Sequence, residues 1–396
     1  MWACGEPARP VPGLTPLPLV AAAGSAQPHL ARGTHGTIVL SWLEPDDDGV
    51  VLYHSTLQAD RWQAKRPVAR GNDWFVNWAD FPSVVPISPT RWAAHWLVKR
   101  PGGTYAYDVA LALSEDTGQT WSEPLSPHTD NTPTEHGFVS LYPHHDGVGA
   151  LWLDGRLMHP DAQRDEHEHG AAGGMTLRTA VVAADRSLSL SQQVDDLVCD
   201  CCQTDVAAGP EGPIAVYRNR TPQEIRDIYV ARMVNGRWEE GRPVARDGWH
   251  IDGCPVNGPA IASDGERVAV AWFTAANDTP RVRLAMSTDG AQTFSPPIDI
   301  DTQRPEGRVD VALLDNGNAV VSWLRAHDEG ELCLRQVTAT GKTGPIHVIA
   351  PIHNARSSGF PQLVRDADHL VLAWTDVSGD ASQVRSVRVD IASLPR

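Results

Sequence analysis

One pattern constrains this chain more than any other. A short apolar run ending in an aromatic residue returns every 51 to 65 residues. It reads Thr37-Ile-Val-Leu-Ser-Trp42, Trp92-Ala-Ala-His-Trp96, Val148-Gly-Ala-Leu-Trp152, Ile214-Ala-Val-Tyr217, Val268-Ala-Val-Ala-Trp272, Ala319-Val-Val-Ser-Trp323 and Leu370-Val-Leu-Ala-Trp374. The runs are short, β-branched and bounded by Gly, Asp or Pro, which is how strands are punctuated. A shorter run precedes each, as in Thr204-Asp-Val-Ala207 and Pro259-Ala-Ile-Ala262. A third strand follows, then a turn and an outer strand after an aromatic such as Trp62, Trp121, Trp238 or Phe294. Helical periodicity is missing. Four strands per repeat and seven repeats predict an all-β chain, a seven-bladed β-propeller of four-stranded blades, with a six-bladed ring as the alternative. The last repeat stops after its third strand, so the stretch around Thr15-Pro-Leu-Pro-Leu-Val20 is expected to supply the missing one and remove a free sheet edge. Residues 1–25 are thus read as either a leader remnant or this ring-closing strand, and residues 26–396 as one propeller domain.

Composition narrows the partners. Lys+Arg 33 against Asp+Glu 49 gives a net charge of −16, which disfavours nucleic acid and anionic membrane surfaces. No run of 18 apolar residues exists to cross a bilayer as a helix. Met1-Trp2-Ala3-Cys4-Gly5 looks like the end of a bacterial lipobox, with a chance early cysteine as the other reading. The first reading makes Cys4 a lipid anchor. It places the chain in the periplasm or cell envelope, as a monomer.

Two turns carry a recognisable motif. Ser114-Glu-Asp116-Thr-Gly118-Gln-Thr120-Trp121 is a complete Ser-x-Asp-x-Gly-x-Thr-Trp box, and Ser287-Thr-Asp289-Gly-Ala291-Gln-Thr293-Phe294 repeats it with Ala291 in the glycine place. In this respect the chain resembles the sialidase (BNR-repeat, Asp-box) superfamily of β-propellers. The resemblance implies structural turns on the face opposite the ligand site, an arginine triad for a carboxylate, and an exo-α-sialidase type of glycan hydrolysis. The chain departs from that pattern. Sialidases are six-bladed, no Arg-Ile-Pro segment opens the domain, and no tyrosine–glutamate nucleophile pair can be placed from sequence.

The loops before the innermost strands meet on one face. Setting Tyr217 over Trp272 puts Cys199, in Cys199-Asp-Cys201-Cys202, over Cys254 of the next blade. Thiolates are soft ligands, which points to copper or zinc, and the tight Cys-x-Cys-Cys spacing favours low-coordinate copper over a zinc cage. The rival readings are a disulfide from Cys199 or Cys202 to Cys254, and buried free thiols. His250, beside Asp252, and His167 with His169 are further candidate ligands; the latter two are equally read as part of a solvated acidic loop. Arg218, Arg308 and Arg356 are candidates for bidentate carboxylate binding, or else ordinary blade-edge ion pairs. Trp74, Trp78, Asp80, Tyr105 and Tyr107 flank the second blade, and Glu135-His136 supplies another acid near the channel face. Asp80 and Trp78 are the candidates there for a glycan.

Three readings follow. The first is an exported, non-catalytic binding protein with a cysteine-lined site for a metal ion, small molecule or glycan. The second is a glycan-active hydrolase, and the third is an interaction propeller with disulfide-linked blades. The fold alone does not choose among them.

Overall fold

The computed structural model describes residues 9–11, 13–33, 35–145, 147–158, 174–326 and 330–394. They form seven sheets in a ring, a seven-bladed β-propeller. The innermost strands are Ala26–Arg32, Ser83–Pro86, His136–His144, Asp205–Ala208, Ala260–Asp264, Pro305–Leu313 and Gln362–Asp366, numbered here as blades 1 to 7. Blade 2 has three full strands, its fourth reduced to a bridge in which Leu111 and Leu125 exchange backbone hydrogen bonds of 2.8 and 2.9 Å. In blade 7 the outermost strand is Leu14–Pro16, antiparallel to Gln383–Asp390 with Leu14 opposite Val389. Among the described residues no helix is long and apolar enough to cross a membrane.

The periodic aromatics explain the ring. All seven lie on the second strand of their blade, and none is more than 7% exposed. Neighbouring sheets press these rings into shared clusters, as where Trp323 of blade 6 meets Trp249 and Phe273 of blade 5. Burying one large apolar side chain contributes about 1.5–3 kcal/mol, so blade-to-blade packing dominates the stability. Indole N–H groups find acceptors: Trp152 donates to Asp154 and Trp323 to Asp301, at 2.8 and 2.7 Å.

At three junctions a side chain also ties one blade to the inner strand of the next. Asp80, Asp205 and Asp310 accept from the backbone N–H of Phe138, Ile261 and Leu363, at 2.7, 2.8 and 2.6 Å. These strands enclose a central cavity of about 810 Å³. On the opposite rim, Asp116 accepts from the N–H groups of Gln119 and Thr120, and Asp289 from that of Thr293. Each carboxylate thereby closes its own turn. Ala291 holds φ +61° there, a conformation that glycine adopts without steric cost, as Gly118 does in the first box.

Candidate functional site: a four-cysteine cluster

The outer strand of blade 3 ends at Val198, and the chain must then turn back to begin the inner strand of blade 4 at Asp205. Residues 199–202 make that reversal as a turn, so the alternation of an extended strand does not apply. The turn sets Cys199 beside Cys202, their sulfurs 2.9 Å apart and each residue 1% exposed. Cys201 projects instead towards the loop before blade 5, where it is disulfide-bonded to Cys254 with the Cα atoms 6.1 Å apart. The expected partners of Cys254 were Cys199 or Cys202. The turn reassigns the bond, because it directs those two side chains inward. Cys199 still lies 3.8 Å from Cys254, and all four sulfurs fall within 4.8 Å of one another. Cys254 is the exposed member.

Two guanidinium groups bear on the sulfurs. Arg226 Nη1 donates to Cys199 Sγ at 3.4 Å. Burial opposes ionisation of Cys199, but the Cys202 thiol, the charge of Arg218, the Cys201 backbone and Arg226 outweigh it and bring its pKa down to about 6. Burial and the neighbouring Cys199 push the Cys202 thiol up. The two shifts run in opposite directions, easing ionisation of Cys199 and opposing that of Cys202.

The other candidates fall into place unevenly. Arg218 is sealed in, donating to the carbonyls of Asn257, Arg226 and Phe273 and lying over Trp249. Four of its five N–H donors are spent on these carbonyls, which brace blades 4 and 5. Arg308 and Arg356 lie instead against Trp78, at 4.9 and 6.0 Å from its ring centre. Arg308 donates to the carbonyls of Ala355 and Gly359. Trp78 stacks on Phe360 at 5.8 Å. His250 is outside the sulfur cluster; its ring points to solvent, 4.0 Å from Asp252. Cys4, His167 and His169 lie outside the described residues.

On the blade 2–3 side of the cysteine turn, an acid and tyrosine cluster was not legible as a unit. Tyr107 donates to Glu135 at 2.7 Å and contacts Asp80 at 3.1 Å. Each residue was noticeable alone, but their pairing spans two blades. Burial pushes the Asp80 carboxyl up to about 8 and that of Glu135 to about 7, the nearby Asp200 adding to the latter. Tyr107 itself is fully buried, stacked on Phe75 with ring centres 4.0 Å apart. Behind it, His128 and His136 stack at 3.9 Å among Asp108, Asp130, Asp154 and Arg156. His136 faces two carbonyl oxygens through Nδ1 and Asp130 through Nε2, so both nitrogens donate. Burial resists its protonation, and the surrounding carboxylates overcome that and raise its pKa.

No protein-family model and no curated protein matches the sequence. Solved structures do match in shape. A lectin from Burkholderia pseudomallei aligns at TM-score 0.60 and 11% identity, over 94% of this chain and 96% of its own. A Penicillium chrysogenum α-L-arabinanase aligns at 0.51 and 12%, over 97% and 100%. A leech intramolecular trans-sialidase aligns at 0.50 and 11%, over 90% and 83%. The fold is that of a sialidase-like β-propeller. At such identities the likeness concerns the scaffold, and the four cysteines have to be interpreted from their own chemistry.

Proposed function

We propose that this sialidase-like propeller is an exported, non-catalytic binding protein, and that its ligand is a soft metal ion held by Cys199, Cys201, Cys202 and Cys254. The observation that carries the reading is the convergence of four sulfurs from two blades within 4.8 Å. Four thiolates suit tetrahedral zinc, and a subset of them suits low-coordinate Cu(I). Arg226 and Arg218 supply positive charge against the excess negative charge that such a thiolate set carries. Binding through all four sulfurs requires the Cys201–Cys254 bond to be reduced. Attachment to an envelope through Cys4 and a monomeric state belong to the same proposal.

The test is anaerobic. The reduced full-length chain is loaded with Cu(I) or Zn(II), desalted, and assayed for metal and reactive thiols. The expected result is retained metal with four fewer reactive thiols, and loss of both effects in Cys199→Ser. Failure to retain either metal on the reduced, folded chain would refute the reading.

One observation favours a glycan-active second reading, namely the hydrogen-bonded Tyr107–Glu135 pair beside Asp80. The sealed position of Tyr107 argues against its attacking a sugar. A fluorogenic sialoside is therefore expected to remain intact; release that disappears in Glu135→Gln would install the hydrolase reading instead.

A further inference from the structure

The four cysteines are not equivalent, and the difference goes beyond metal binding. Cys199 and Cys202 are both 1% exposed, separated in sequence by two residues, with sulfurs at 2.9 Å. That Cys-x-x-Cys spacing is also the spacing of redox dithiols. Cys201 and Cys254 form the cross-link, and Cys254 is open to solvent. Cys199 is the sulfur common to both pairs, since it lies 2.9 Å from Cys202 and 3.8 Å from Cys254.

We propose that the cluster is an internal thiol–disulfide relay in which Cys199 carries the disulfide between an exposed pair, Cys201 and Cys254, and a buried pair, Cys199 and Cys202. Exchange runs by attack of a thiolate on a disulfide sulfur. In the first step the Cys199 thiolate attacks Cys254 Sγ. The Cys199–Cys254 bond forms, the Cys201–Cys254 bond breaks, and Cys201 leaves as a thiolate. In the second step the Cys202 thiolate, its proton given up to the Cys201 sulfur or to solvent, attacks Cys199 Sγ. The Cys199–Cys202 bond forms and Cys254 leaves as a thiolate, which water or buffer protonates. The buried dithiol has lost two electrons and the exposed pair has gained two, so no external oxidant or reductant enters the balance.

The surroundings suit this role. Arg226 holds Cys199 through its 3.4 Å contact and is itself fixed by Glu224 at 2.8 Å. Beside Cys254 the chain is open, with nothing within 4 Å of a Cβ placed on Gly253. A solvent-facing disulfide of this kind meets thiols from outside, and the buried pair stores the oxidised state out of their reach. The relay works on the metal-free chain and does not depend on the binding function proposed above.

The test uses the full-length chain with a chelator present. Protein carrying the Cys201–Cys254 bond is held at low pH, where exchange stops, and then moved to mildly alkaline pH with no redox reagent. Samples are acid-quenched, alkylated and mapped by peptide mass spectrometry. The expected result is loss of the Cys201–Cys254 peptide and gain of the Cys199–Cys202 peptide at a constant free-thiol count. Cys202→Ser should stop at Cys199–Cys254, and Cys199→Ser should keep the original bond. Retention of Cys201–Cys254 alone in both wild type and Cys202→Ser overturns the relay. If Cys199→Ser does not fold, those two samples still decide it. A chain that binds no metal can pass this test, and one that binds metal can fail it.

Discussion

Two parts of the channel face are built from the same kinds of loop yet behave oppositely. Between blades 2 and 3, buried carboxyl groups are matched to donors: Asp154 accepts from Trp152 and Arg156, Asp130 from His128 and His136, and Glu135 from Tyr107. Between blades 4 and 5, the buried sulfurs have one another and Arg226 as their principal partners. A saturated polar network rigidifies a fold and leaves little for a ligand to contact. A group of soft nucleophiles facing mainly one another retains its chemistry. The first region therefore reads as architecture, and the second as the site.

The largest effect expected from this contrast is in the saturated region. Asp154→Ala removes the acceptor of the Trp152 indole and a partner of Arg156, and it leaves the buried His136 with one carboxylate fewer. Breaking such a buried charge network costs about 3–5 kcal/mol. Chemical denaturation should show that loss with the thiol chemistry unchanged in whatever fraction stays folded. A cost near zero would mean that the network is not saturated and would erase the contrast.

Removal of the cross-link comes next. Cys201 and Cys254 are 53 residues apart, and closing a loop of that length restricts the unfolded chain by up to about 4 kcal/mol in the chain-entropy model. At the low pH that holds the Cys201–Cys254 bond, Cys201→Ala with Cys254→Ala should lower the denaturation midpoint of the non-reduced protein. Reductant should lower the midpoint of the wild type and leave that of the variant where it is. Equal midpoints without reductant would show that the bond contributes nothing to holding blades 4 and 5 together.

The seven blades were legible because each second strand buries an aromatic at the same depth, a requirement that marks the sequence at every repeat. Register also carried Cys199 and Cys254 to neighbouring positions. Which cysteine bonds Cys254 was not legible, since it depends on residues 199–202 forming a turn whose curl selects Cys201. Nor was the fate of Arg218. Its acceptors are backbone carbonyls contributed by blade 5 and by the loop before Asp227, and no side-chain pattern announces them. Arg226 was missed for a related reason: its contact with Cys199 joins residues 27 apart through the turn.

The last prediction sharpens the comparison through pH. Asp80 is 2% exposed, and burial raises its folded-state pKa to about 8, whereas an unfolded aspartate titrates near 3.9. Ionisation is thus held back in the folded chain. The contribution of Asp80 to stability is full below about pH 4 and is lost as pH rises towards 8. Asp80→Asn should remove that dependence while keeping an oxygen for the Phe138 N–H, 2.7 Å away in the wild type. The new amide can donate to the Tyr107 oxygen, whose own proton goes to Glu135. The two proteins should match near pH 4, and the variant should become progressively the more stable of the two as pH rises towards 8. Denaturation across that window reads the difference. A variant less stable than wild type at both ends would mean that the charge of Asp80 is being used, and would reopen the blade 2–3 mouth as a site where a ligand, rather than the fold, sets the ionisation.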